Sequence, residues 1–153
     1  MQQKITPNFW FDGNAKEAAD YYVSVFPDGK IISTENYPNS AEEGLADFQK
    51  DLAGKVLTVE FELAGMQFVG INAGPEFKFN ESVSFSVACK DQEEIDYFWE
   101  KLSSAPDAEQ CGWCRDKFGL SWQIVPANMG ELMQKPGAYA KMMQMKKLVI
   151  ADF

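Results

Sequence analysis

The sequence predicts an α+β chain built from one strand–helix–strands unit used twice, and three observations carry that prediction. Residues Ile5 to Phe11 alternate Ile5, Pro7, Phe9 and Phe11 with Thr6, Asn8 and Trp10, the period of a strand with two unlike faces. Ser82 to Cys89 alternates in the same way, with Val83, Phe85, Val87 and Cys89 on one side. A shift of 76 residues lays the first run and the helix after it on the second. Phe9 then meets Phe85, Phe11 meets Val87, Tyr21-Tyr22 meets Tyr97-Phe98, and Phe26 meets Leu102. The 153 residues are nearly twice that shift, as a single domain of two modules requires, one over about 3–75 and the other over about 80–153.

The elements follow in order. Pro7 near the start of the first run predicts an edge strand or a bulge. Asp12-Gly13 turns the chain, and Asn14 with Glu17 three residues on reads as a capping box. The helix behind it puts Ala15, Ala18, Ala19, Tyr22, Val23 and Phe26 on one face, and Pro27-Asp28-Gly29 stops it. Lys30 to Tyr37 reads as a strand and the acidic stretch from Pro38 to Gly54 as a loop. Lys55 to Leu63 and Met66 to Asn72 read as a hairpin around Ala64-Gly65. In the second half, Asp91 with Glu94 forms an N-cap pair, and Ile95, Phe98, Trp99 and Leu102 mark the buried face. Strands are predicted over Glu109 to Arg115, Leu120 to Val125 and Lys147 to Asp152, with short helices over Asn128 to Gln134 and Pro136 to Met145.

Composition excludes several classes. The net charge of −9 and the lack of a basic run oppose nucleic-acid binding. No apolar run reaches the roughly 18 residues of a membrane span, and no signal-peptide pattern opens the chain. Three cysteines are an odd count, which argues for a reducing cytoplasm over a secreted disulfide framework. Histidine is absent, which removes the commonest metal ligand and the usual general base. No Gly-rich phosphate loop or nucleophile elbow is present, so no cofactor is called for.

Cys111 to Pro126 holds two of the four tryptophans, two of the three cysteines and the only arginine. The Cys111-x-x-Cys114 pair lies between strand-like segments, whereas a redox pair should open a helix. One such pair with Cys89 supplies at most three zinc ligands. The two cysteines therefore read as core or pocket residues of a strand. Asp116 reads as a turn ion pair with Arg115 and Lys117, or as a catalytic acid. Trp10, Trp113 and Trp122, with Asn8, Ser84, Ser86 and Gln123, supply the apolar walls and few polar groups of a small-molecule site, or equally of a dimer interface buried by a partner subunit. Trp122 and Gln123 are adjacent, so only one of them can face it.

These residues also carry a resemblance. Thr6-Pro7, Trp10 to Asn14, Tyr22-Val23-Ser24, Phe26-Pro27, Asn72 to Pro75, Phe77 and Phe79-Asn80-Glu81 are part of it. The long match runs from Cys111-Gly112-Trp113 through Asp116 to Gly119 and on to Ser121 to Pro126, with Met145-Lys146-Lys147 beyond. The chain resembles the vicinal oxygen chelate superfamily of glyoxalases, extradiol dioxygenases and bleomycin-resistance proteins. Within that superfamily it is most similar to the PhnB-like, demethylubiquinone methyltransferase-like branch. Cys114 departs from the pattern, where a leucine-like residue is usual.

The resemblance implies two βαβββ modules forming curved mixed sheets around a cleft. It places the metal-ligand positions of metal-dependent relatives at Asn8, Ser84, Gln123 and Val69. Three of those side chains are neutral and weak and one is no ligand, so a metal site of that kind is not expected. The expected ligand-binding set is Asn8, Trp10, Asn72, Ser84, Trp113, Trp122 and Gln123, with Asp116 and Cys111 as proton carriers if a reaction is catalysed. The expected protein is a cytoplasmic homodimer that binds a small molecule without metal or cofactor. The alternative is a methyltransferase, or an isomerase or lyase.

Overall fold

In the computed structural model, which describes residues 2–153, the alternation of Phe9 and Phe11 becomes strand β1, Asn8–Phe11. The strand starts just after Pro7, whose nitrogen carries no hydrogen for a ladder. The Pro7 carbonyl still accepts from Val69 N at 3.0 Å. Helix α1, Ala15–Val25, follows, then β2, Lys30–Asn36, β3, Val56–Leu63, and β4, Met66–Asn72. The acidic loop between β2 and β3 contains two 3-10 turns, Ala41–Glu43 and Asp47–Leu52. The strands form a four-stranded sheet in the order β1-β4-β3-β2, with β1 parallel to β4 and the other pairs antiparallel. This unit ends at Lys78, and a second begins at Phe79.

One face of the first sheet is closed by α1. Ala15, Ala18, Ala19 and Tyr22 are fully buried against Val59 and Phe61. Phe68 stacks at 5.5 Å on both Phe9 and Phe61. The three alanines let the helix lie close to β4. A Cβ at Gly70 would stand 3.3 Å from both the Ala15 Cβ and the Phe11 ring, a tight fit that the glycine relieves. The predicted box at Asn14 does not form, since its side chain makes no cap bond. The cap comes from β4 instead: Asn72 Oδ1 accepts from Ala15 N at 2.9 Å.

The second unit repeats the opening. Strand β5, Ser84–Cys89, leads into helix α2, Gln92–Leu102, which buries Ile95, Phe98 and Leu102. Here the local cap is present. Asp91 accepts from Glu94 N at 2.9 Å, and the Glu94 carboxylate accepts from Lys90 N at 2.7 Å. After a 3-10 turn at Pro106–Ala108 come β6, Trp113–Arg115, and β7, Ser121–Pro126. The sheet order is β5-β7-β6, with β5 parallel to β7 and β6 antiparallel to it.

The two-module α+β plan thus stands, but the second sheet has three strands. The expected strand over Glu109 to Arg115 is broken at Cys111-Gly112, where φ is 41° and 89°. Two successive positive φ angles make a tight hairpin turn that brings Trp113 N to 2.8 Å from the Gln110 carbonyl. The counterpart of β2 is thereby reduced to a single bridge at Gln110.

The remaining helices are α3, Met129–Leu132, and α4, Ala138–Met143. Leu132, Ala138, Leu148 and Phe153 form a small core of their own, with Val125 and several methionines packed on it. The expected last strand is absent. Leu148 and Ile150 exchange backbone bonds with the Gln92 side-chain amide, at 3.0 and 2.8 Å, and the chain then closes in a 3-10 turn at Ile150–Asp152. A side chain satisfies the polar groups that a neighbouring strand would have taken.

Candidate functional site

Each sheet has one face closed by its helix, and the predicted ligand residues divide between the two faces. In the first unit, register pairs Asn8 with Val69 and Trp10 with Ile71, which places them opposite the Phe9–Phe11 face. The Trp10 indole N–H donates to the Gly74 carbonyl at 2.8 Å, and Phe77 meets its ring edge-on at 4.8 Å. Asn8 is exposed, and its amide donates to the Thr6 carbonyl at 2.9 Å.

Asn72 lies on the helix side and is 5% exposed. Besides capping α1, its amide donates to the Val56 carbonyl at 3.1 Å, and its carbonyl accepts from the Tyr37 hydroxyl. Every polar group of Asn72 named here serves the fold.

In the second unit, the parity of Trp122 and Gln123 is decided. Trp122 pairs with Phe85 and Cys114 on the helix side and is 2% exposed. Its indole N–H donates to Asp116 Oδ2 at 2.8 Å. Gln123 pairs with Ser86 and Trp113 on the opposite face, and its amide donates to Ser84 Oγ at 2.9 Å. Trp122 accordingly belongs to the core. Ser84, Ser86, Trp113 and Gln123 come together on the open face.

The same parity adds two residues that the sequence reading left out. Ser121 pairs with Ser84 and with Arg115, so all three share the Gln123 face, although Ser121 itself is buried at 1% exposure. Counting two back from Gln123 along β7 reaches Ser121, and two forward from Trp113 along β6 reaches Arg115. The face therefore has two rows across the strands: Ser84, Ser121, Arg115, and then Ser86, Gln123, Trp113.

Asp116 is 3% exposed and organises the turn before β7. Its Oδ1 accepts from Phe118 N at 2.8 Å and Leu120 N at 3.1 Å, while Oδ2 holds the Trp122 indole. Arg115, expected as its ion-pair partner, instead approaches Glu81 at 3.5 Å and Asp107 at 3.6 Å. A carboxylate holding two backbone amides and an indole is built as a structural acceptor.

None of the three cysteines is paired. Burial pushes the Cys111 thiol up. Cys114 is pushed up to about 12 by burial and then by the charges of Asp116 and Glu109. Cys89 reaches about 12 by burial, with Glu94 and Asp91 adding to it. Activated thiols need the reverse shift. Among the described residues, no group of three or more His, Cys, Asp or Glu side chains is placed to hold a metal ion. Asn8, Ser84, Gln123 and Val69, where the resemblance would place metal ligands, do not fit a divalent ion.

The second unit also has a cleft of about 680 Å³ at the start of α2, lined by Asp91, Gln92, Asn128 and Ile150 among others. Its best polar groups are already engaged, Asp91 in the cap and Gln92 with Leu148 and Ile150.

Residues 3–125 match the family described as 3-demethylubiquinone-9 3-methyltransferase. Among solved structures, the chain is 33% identical to a Bacillus cereus protein provisionally named 3-demethylubiquinone-9 3-methyltransferase, PhnB protein. That match covers 80% of this chain and 99% of the other, with a TM-score of 0.62. A Pseudomonas aeruginosa protein shares the fold at 16% identity and a TM-score of 0.60, over 82% of this chain and 98% of that one. An Arabidopsis thaliana gene product does so at 18% and 0.50, over 81% and 98%. No curated protein matches. Among the described residues, no helix is long and apolar enough to cross a membrane.

Proposed function

The chain belongs to the 3-demethylubiquinone-9 3-methyltransferase family in its PhnB-like form, and from that premise we propose a metal-independent small-molecule-binding protein. The ligand lies on the open face of the second sheet, with Trp113 as its apolar wall and Ser84, Ser86 and Gln123 orienting it. The observation that supports this most is the division of labour at adjacent positions. Trp122 fills the core, and Gln123 stands beside Trp113 on the face that the helix leaves uncovered. One aromatic plane with a few fixed polar groups is the usual make-up of a small-molecule site. In the first sheet, Trp10 and Asn8 occupy the corresponding face and are kept as secondary candidates. The reading includes a cytoplasmic homodimer, supported by the family resemblance and, for the compartment, by three unpaired cysteines.

Tryptophan fluorescence tests the proposal. Titration with a library of small aromatic compounds should quench emission, and Trp113→Ala should abolish the response. Tight binding that survives this substitution contradicts the assignment.

The family's name supports a second reading, methyl transfer from a donor such as S-adenosylmethionine. Isothermal calorimetry tests it: heat on titrating the donor at millimolar concentration would favour transfer, and no heat would remove it. An isomerase or lyase with Asp116 or Cys111 as proton carrier is less well supported. Asp116 holds three hydrogen bonds of the fold, and the Cys111 thiol is pushed up.

A further inference from the structure

We infer that the acidic loop between β2 and β3 docks on the lysine-flanked surface of α4 in a second copy of this chain, with Phe48 as its anchor. The inference rests on the homodimer reading above and names its surface. It starts from a side chain that the fold does not use. Phe48 is 88% exposed, more than any other large apolar residue among those described.

The loop that carries it is held in place. At its base, Tyr37 N donates to the Lys55 carbonyl at 2.8 Å, and Gly54 N to the Pro38 carbonyl at 3.2 Å. Gln49 N donates to the Ala46 carbonyl at 2.9 Å, and the Gln49 side-chain carbonyl accepts from Ala46 N at 3.3 Å. The 3-10 turn Asp47–Leu52 is thereby fixed at its start. Residues three apart eclipse one another in such a turn, which puts the exposed Asp51 on the Phe48 side. An aromatic ring on a fixed turn loses little further freedom on docking, the property of an interface anchor.

Charge decides the surface that receives it. At net charge −9 two copies repel at long range, so they meet best where the sign reverses. The loop is acidic: residues 38–54 carry Glu42, Glu43, Asp47 and Asp51 against Lys50 alone. Residues 132–151 carry Lys135, Lys141, Lys146 and Lys147, and form the longest run of the sequence without an acid. Lys147 is taken by Asp96. Among the described residues, Lys135, Lys141 and Lys146 enter none of the ion pairs.

Helix α4 lies in the middle of that run and has an apolar stripe of its own. Tyr139 and Met143 are both exposed and stand four residues apart, on one side of the helix. The stripe is fixed from beneath, since Ala138 is buried in the small core and the Gln110 amide donates to the Met143 carbonyl at 2.9 Å. Methionine adapts its shape to an incoming ring, and its sulfur favours aromatic contact. An aromatic anchor beside acids therefore meets an aromatic and thioether stripe flanked by lysines. Around a twofold axis the contact is made twice, loop to helix in each direction.

Sedimentation equilibrium over a dilution series tests the contact. The protein should be a dimer that dissociates on dilution, and more readily at high salt. Phe48→Ser should weaken it about a hundredfold, about tenfold at each of the two equivalent contacts. Two charge-reversed variants give an independent readout. One carries Glu42→Lys, Asp47→Lys and Asp51→Lys, and the other Lys135→Glu, Lys141→Glu and Lys146→Glu. Alone, each sets like charges together at both contacts and should be monomeric. Mixed, the reversed loop faces the reversed helix surface and the native loop the native one. A one-to-one dimer should then form, with affinity within about tenfold of the unaltered protein.

A dimer unaffected by Phe48→Ser, or charge variants that do not recombine, would overturn this surface and leave the homodimer reading standing. Assemblies that grow beyond two chains would overturn the twofold closure. A monomer at every concentration would overturn the homodimer reading and this inference with it.

Discussion

The two modules open alike and close differently. Each starts with a strand that puts aromatic or apolar residues on its inner face and then runs into a helix of 11 residues. The first helix takes its cap from Asn72, 57 residues away on β4, whereas the second is capped by Asp91 from within its own turn. The first sheet has a full outer strand in β2, and the second keeps one bridge at Gln110. In the first module, long-range polar bonds tie helix to sheet. In the second, the comparable tie lies in the turn before β7, where Asp116 fixes Trp122. The difference shows that one architecture can be held by different polar anchors, and that an anchor in the second module holds the inward-facing tryptophan of β7.

Removing those anchors should separate the modules by size of effect. Asp116→Ala leaves two backbone amides and a buried indole without their acceptor, and should cost about 3–5 kcal/mol in denaturant unfolding. Asn72→Ala orphans the Ala15 amide and the Val56 carbonyl, and should cost about 2–3 kcal/mol. Asp91→Ala removes one local cap and should cost about 1 kcal/mol. If Asp91 proved as costly as Asn72, the contrast between a local and a long-range cap would be lost.

The smallest effect concerns the Lys147–Asp96 pair, 2.7 Å apart on the surface of the second module. Hydrogen bonds from Lys147, then Gln92, hold the Asp96 carboxyl below its ordinary value. A lowered folded value means the contribution is present above the unfolded carboxylate range and is lost as pH falls through the folded value. Melting temperatures of wild type and Lys147→Met should therefore coincide in acid and separate slightly as pH rises. Separation in the opposite direction would contradict the pairing.

The repeated strands were legible because Phe9, Phe11, Phe85 and Val87 alternate with smaller or polar residues. The duplication followed from that spacing. Capping was legible only for the second helix, where donor and acceptor are neighbours. At the first helix, Asn14 and Glu17 have the right spacing, yet Asn72 supplies the acceptor from across the sheet, a contact that no local pattern encodes. The break at Cys111-Gly112 was missed because a non-glycine residue adopts positive φ there, and the last strand because a Gln92 amide stands in for a strand partner.

The candidate site was half legible for the same reason. Period two requires Trp122 and Gln123 to oppose one another, but deciding which is inward needs the pairing of β7 with Phe85 and Cys114. Asn72 and Trp122 have the chemistry of ligand residues, and the structure buries both and commits their polar groups to hydrogen bonds of the fold. Ser121 and Arg115 were one strand repeat from residues already chosen.

The central claim is that Trp122 is an anchor and Trp113 a ligand wall, and indole NMR tests it most directly. The indole N–H signals of the tryptophans are assigned by single substitution and followed through a titration with an aromatic compound that quenches tryptophan emission. The account predicts a saturable shift at Trp113 and at the Gln123 side-chain amide, with the Trp122 signal unmoved. A shift at Trp122 with none at Trp113 would contradict it.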